Sequence, residues 1–129
     1  MIPITSLYIA LCALMLVALS ALVIRQRYRS QIAIGTEAPS LARAARAQGN
    51  FTEYAPMILL LMAAAELAHA PAYLLHTSGF LLLASRTSHA YSLLAHEPQH
   101  NTFHFRMAGM ITTFALLVAL SLYLLFKLL

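Results

Sequence analysis

Arg46-Ala-Gln-Gly-Asn50-Phe-Thr-Glu53-Tyr-Ala-Pro56-Met-Ile-Leu-Leu-Leu-Met-Ala-Ala-Ala-Glu66-Leu67 is the stretch on which the reading of this chain turns. From Met57 to Leu67 it is almost wholly apolar, whereas its first part carries a cation, an amide and a carboxylate at Arg46, Asn50 and Glu53. The spacings i, i+4 and i+7 are rotations of roughly 400° and 700° at about 100° per residue, so one helix face holds all three groups within about 60°. Ionisable groups at the edge of a lipid-compatible run are expensive and commonly functional. The segment therefore predicts a membrane helix with a polar stripe near one end.

The whole chain agrees with that environment. Of 129 residues 61% are hydrophobic and 9% are charged, against about 25% charged in a soluble domain, and mean hydropathy is +0.77. This composition predicts an all-α integral membrane protein with about four spans of roughly 20 residues, occupying the chain as one domain without room for a soluble one. The spans are expected near residues 4–24, 41–69, 73–95 and 105–125. The first lacks the basic start of a cleaved signal peptide and is expected to stay as an anchor. Ser40 is the expected cap of the second helix, Ala70-Pro-Ala72 a tight turn, and His96 to His104 a loop punctuated by Glu97-Pro98 and Asn101-Thr102.

Charge supplies an orientation. Arg25, Arg27, Arg29, Arg43 and Arg46 follow the first span and Arg106 follows the third, while the opposite side holds Lys127. The positive-inside rule then puts both arginine-bearing loops in the cytoplasm and both termini outside. The net charge of +4 is thus a topology signal, with anionic lipid contact secondary, and calls for no nucleic acid partner. Cys12 is the sole cysteine, so neither an intramolecular disulfide nor a cysteine zinc cluster can form. The chain has no Asp and only four glycines, which removes a Ser-His-Asp triad and a phosphate-binding glycine loop.

The polar stripe has two readings. Arg46, Asn50 and Glu53 could bind a zwitterion, the guanidinium taking a carboxylate, Glu53 an ammonium and Asn50 a peptide group. Equally, Arg46 could snorkel, Glu53 pair with it and Asn50 join helices. Arg43 shares the face and could extend a site towards water. In span three Arg86, with His89 three residues on, needs either Glu53 as a buried partner or a polar cavity. Arg106 opens span four as an interface anchor or as a fixed cation able to hold a thiol as thiolate. The six histidines make no metal-binding motif, although a bis-histidine haem between helices is a third class of reading. Glu66, near the outer end of span two, is expected as an interfacial carboxylate or as a partner of His69 at i+3, apart from the cytoplasmic site.

Taken together, Arg46-x-x-x-Asn50-x-x-Glu53-x-x-Pro56 with Glu66-Leu67, then Arg86-x-x-His89-Ala-Tyr91, then Arg106-x-x-Gly109 resemble the MAPEG family, membrane-associated proteins in eicosanoid and glutathione metabolism. The resemblance covers nearly the whole chain, and the short loops point to a bacterial-type member. It implies a left-handed four-helix bundle, a homotrimer in the inner membrane, and a glutathione site between subunits near the cytoplasmic side. It further implies a glutathione-dependent transferase or peroxidase acting on lipophilic electrophiles or lipid hydroperoxides. By that resemblance Arg46, Asn50 and Glu53 bind glutathione, Arg86, His89 and Tyr91 line its pocket, and Arg106 stabilises the thiolate. Gly49 and Ser92 depart from common family residues, and no second buried tyrosine follows His89, so specialised eicosanoid synthesis is not implied. The competing class is a non-catalytic membrane scaffold or lipid-binding protein with a structural stripe.

Overall fold

The computed structural model describes residues 1–128, and helix is the only regular secondary structure among them. In chain order the elements are α1 (Pro3–Ser30), α2 (Pro39–Leu67), α3 (Ala72–Tyr91), a π turn (Ser92–His96), a short α4 (Glu97–His100) and α5 (His104–Leu128). The four long helices form an antiparallel bundle in which α1 packs on α2 and α3 packs on α5.

The helix starts follow local chemistry, with one departure from expectation. Pro39 opens α2 and the cap position is Ala38, which offers no side-chain bond. Proline suits this place because its missing N–H would be unpaired there anyway. Ser40 is accordingly inside the helix. The start of α1 also lacks a cap of its own, and its free N–H groups are satisfied from another helix. Glu66 accepts from the Ile4 and Thr5 N–H groups at 2.9 and 2.7 Å. Of the two expectations for Glu66, pairing with His69 gives way to a carboxylate at a helix N-terminus, where unpaired donors and the helix dipole both favour it.

Arg27 closes the other end of α1. Gln31 turns left-handed with φ 55°, and the Arg27 side chain donates to the carbonyls of Ala33 at 2.9 Å and Gly35 at 3.3 Å. The stretch after α3 differs from a plain loop, since helix continues through the π turn into Glu97–His100. Pro98 does not break it because it falls in the first turn of α4. The chain then reverses at Asn101, left-handed at φ 49°, a conformation that asparagine tolerates.

The core runs along the bundle through Tyr8, Cys12 and Leu19 of α1, Phe51, Ala55, Ile58 and Met62 of α2, Leu82 of α3, and Leu116 and Leu120 of α5. Two glycines set close approaches. A Cβ on Gly109 would lie 2.6 Å from the Ser85 carbonyl oxygen, so glycine brings α5 onto α3, and a Cβ on Gly79 would run into the Tyr8 ring. Tyr8 in turn donates to the His76 carbonyl at 3.0 Å. Outward, Leu14, Val17, Phe80, Ile111, Val118 and Phe126 are exposed. Apolar surface this extensive suits lipid and not water. α1 and α5 are long and apolar enough to cross a membrane, while α2 and α3 hold most of the buried polar side chains.

Candidate functional site

Three helices and the turn before α5 enclose a cleft of about 500 Å³. From α2 it receives Arg46, Asn50 and Tyr54; from α3, His89; from α5 and the residue before it, Phe103, Arg106, Met107 and Met110. Residues spaced 46, 50 and 54 share a helix face, which explains the α2 wall. Tyr54 was absent from the candidates drawn from sequence, although the same i+4 step that links Arg46 to Asn50 leads to it. Its ring packs edge-on against Phe114 at 5.6 Å.

Behind this wall lies Arg86, 2% exposed. It does not pair with Glu53. Its Nη1 donates to Asn50 Oδ1, and its Nη2 donates to Thr113 Oγ1 and to the Gly109 carbonyl, the last at 3.1 Å. Thr113 Oγ1 in turn donates to the Gly109 carbonyl at 2.7 Å. No carboxylate lies within ion-pair distance of Arg86 among the described residues. Arg86 therefore ties α2, α3 and α5 together and consumes the Asn50 carbonyl. The Asn50 amide nitrogen is left facing the Met110 sulfur at 3.5 Å, a weak acceptor that a stronger one would displace.

Around the mouth the charges are looser. Arg46 meets Glu53 at 3.5 Å with both side chains about half exposed, the geometry of a surface pair of small worth. Glu53 is thus a neighbour of the cleft through Arg46 and is not in its wall. Arg106 donates to Glu97 at 3.2 Å and stands 5.7 Å over the Phe103 ring. His89 is 4% exposed and faces the cleft without a hydrogen bond among the described residues. Tyr91 is not brought to this cleft. It is half exposed and packs edge-on against Phe105 at 5.6 Å, as its position roughly 140° from Arg86 on the helix wheel dictates.

Electrostatically the region is three guanidiniums, Arg46, Arg86 and Arg106, against two carboxylates, Glu53 and Glu97. An excess of cation beside an amide N–H that has only a sulfur acceptor and an imidazole without a hydrogen bond among the described residues suits an anionic or zwitterionic ligand. The opposite wall of Phe103, Met107 and Met110 is apolar and suits a lipophilic one. The remaining histidines take no part in the cleft: His96 contacts Thr102 Oγ1 at 2.8 Å and lies ring to ring with His100 at 4.7 Å.

A model of the MAPEG family matches residues 5–126. The chain belongs to the MAPEG family. It is 34% identical over 120 residues to the inner membrane protein YecN of Escherichia coli K12, covering 92% of this chain and 88% of that one. The same identity and coverage relate it to the inner membrane protein YecN of Escherichia coli O6:H1 strain CFT073. No solved structure matches. MAPEG proteins are membrane helical bundles and generally use glutathione, so the all-α four-helix membrane fold stands on family and structure together.

Proposed function

We propose that this MAPEG protein is a glutathione-dependent transferase or peroxidase of the inner membrane, acting on lipophilic electrophiles or lipid hydroperoxides. The observation that carries the reading is the single cleft that joins Arg46, Asn50 and His89 to Arg106 across a polar and an apolar wall. Glutathione has two carboxylates, an ammonium, two peptide groups and a thiol. Arg46 takes a carboxylate, Glu53 the ammonium, and the Asn50 amide a peptide carbonyl, with Arg86 holding Asn50 in place. His89 supplies a further polar contact. Arg106 lies on a different helix and faces the sulfur.

The thiol loses its proton to water at the open mouth, and the guanidinium lowers the free energy of the thiolate that remains. In conjugation the sulfur pair attacks an electrophilic carbon, a C–S bond forms, and the leaving group departs with its electron pair. In the peroxidase reaction the thiolate attacks one peroxide oxygen and the O–O bond breaks. The alkoxide takes a proton and leaves as the alcohol, and a second glutathione reduces the sulfenic acid to disulfide and water. Binding both reactants side by side is the main gain, since neither step needs a triad.

We place the protein as a homotrimer of one-domain subunits, each crossing the membrane four times with both termini outside, so that Tyr91 would reach a site only across a subunit boundary. α2 spans about 43 Å at 1.5 Å per residue, longer than a hydrocarbon core of about 30 Å. Counting back about 20 residues from Leu67 sets the inner boundary near Ala47, beside the cleft mouth. Cysteine labelling of the 31–38 segment from outside intact cells would contradict this orientation.

The test is conjugation of a chloronitrobenzene, or reduction of a lipid hydroperoxide, by detergent-purified protein with glutathione. Arg106→Leu is expected to lower kcat by about a hundredfold while leaving glutathione affinity within about threefold. Absence of both activities together with absence of glutathione binding would sink the reading. The Arg86 network favours a second one, in which the polar groups only pack a scaffold; in that case Glu53→Gln and Asn50→Ala change assembly and leave nothing for glutathione to report.

A further inference from the structure

The connection between α3 and α5 builds something that a plain loop would not. Within Ser92–His96 the backbone bonds run from residue i+5 to residue i, and the Glu97 N–H binds the Ser92 carbonyl. In an uninterrupted α-helix position 97 would stand about 140° round from position 92. The wider π turn carries Glu97 over Ser92, whose Oγ donates to Glu97 Oε1 at 2.9 Å. Ser92 is completely buried, so this anchor is fixed in the bundle. The other carboxylate oxygen, Oε2, accepts from Arg106 Nη1 at 3.2 Å. One carboxylate thus bridges the end of α3 and the first turn of α5.

Arg106 is held by a single N–H. Its other guanidinium donors make no hydrogen bond among the described residues, and the Phe103 ring, itself part of the cleft wall, bounds it from another side. An arginine at a half-open mouth would otherwise sample many rotamers. π turns recur at functional sites, and here the turn has a definite geometric result.

We propose that Glu97 is the positioning residue of this site: anchored on Ser92 by the π turn, it holds the Arg106 guanidinium at the cleft with its remaining donors available to the bound sulfur. This rests on the reading of Arg106 as the thiolate-stabilising group. A competing effect gives the proposal its edge. The carboxylate charge by itself disfavours a nearby thiolate, so if charge outweighed positioning, removing Glu97 would increase ionisation.

The experiment follows thiolate ultraviolet absorbance of glutathione bound to the detergent-purified full chain across a pH titration, beside turnover of a chloronitrobenzene. Glu97→Ala is expected to raise the apparent thiol pKa by about one unit, a fall of about tenfold in thiolate at neutral pH. kcat should fall in parallel, with the KM for glutathione changed by less than about twofold. Glu97→Gln keeps an acceptor for Arg106 and a partner for Ser92, and should recover most of the wild-type ionisation. Unchanged or increased ionisation in Glu97→Ala overturns the proposal. Should that variant fail to assemble, Ser92→Ala decides, with a fall of about threefold in thiolate expected and no change contradicting. A wild-type protein that binds glutathione without any thiolate signal overturns the Arg106 reading itself, before any variant is made.

Discussion

Arg86 shows how one side chain can be both packing and site. Its guanidinium is buried with amide, hydroxyl and carbonyl acceptors on two other helices, so the charge is hydrogen-bonded without being neutralised by a carboxylate. Replacing it by Met would leave the Asn50 carbonyl and the Thr113 hydroxyl oxygen without the N–H groups they accept, while the Gly109 carbonyl keeps the Thr113 hydroxyl. Each orphaned group costs about 1–3 kcal/mol, and a total loss of about 3 kcal/mol is expected in denaturant unfolding of the purified protein. Glutathione affinity should fall with it, because Asn50 loses the partner that aims its amide. Stability within about 0.5 kcal/mol of wild type would mean that Arg86 is not the tie described here. The need for a partner to Arg86 was legible from its place in an apolar span. The partner was not, because Glu53 and Asn50 differ by one helical turn on α2 and the choice between them depends on how far α3 is rotated.

At the scale of elements, the sharpest dependence is the contact of α5 with α3 at Gly109. A side chain there meets the Ser85 backbone, which cannot move as a flexible side chain does. Gly109→Val is therefore expected to push the helices apart and cost about 1–3 kcal/mol, with loss of glutathione binding, since Arg86, His89 and Arg106 lie on both sides of the same seam. Wild-type unfolding and binding by that variant would contradict the contact. α1 and α5 were readable because each is an apolar run of near-membrane length, and α2 and α3 because the Ala70-Pro-Ala72 turn separates them and Gly35, Pro39 and Ser40 precede the first of the two. Their starts were less so: Ser40 has the chemistry of a cap, yet Pro39 claims the first helical position and moves the boundary before it. The π turn had no readable signal at all, since Ser92–His96 is only five residues long and an i+5 bond leaves no hydrophobic period behind.

Across the whole molecule, the cleft is composed at one end of the bundle from residues 46 to 110. Counting residues along the helices puts Arg46, Asn50, Glu53, Arg86, His89 and Arg106 at a similar depth; the structure brings Arg46, Asn50, His89 and Arg106 into one cleft, with Arg86 behind Asn50 and Glu53 outside the wall. Facing between helices is harder to count than depth, which is why Phe103, Met107 and Met110 in the wall emerge only from the packed bundle, whereas Tyr54 lies one i+4 step beyond Asn50 and Tyr91 stands off the Arg86 face on the wheel. The proposed division of labour, α2 for holding a thiol ligand and α5 for its reactivity, makes the affinity of the α2 wall the central quantity. Calorimetric titration of glutathione into the detergent-purified protein measures it directly. The account predicts saturable binding to the wild type, weakened about tenfold or more by Asn50→Ala or Arg46→Ala, a loss of about 1.4 kcal/mol. Absence of saturable heat with the wild type, or affinity indifferent to both substitutions, would contradict it.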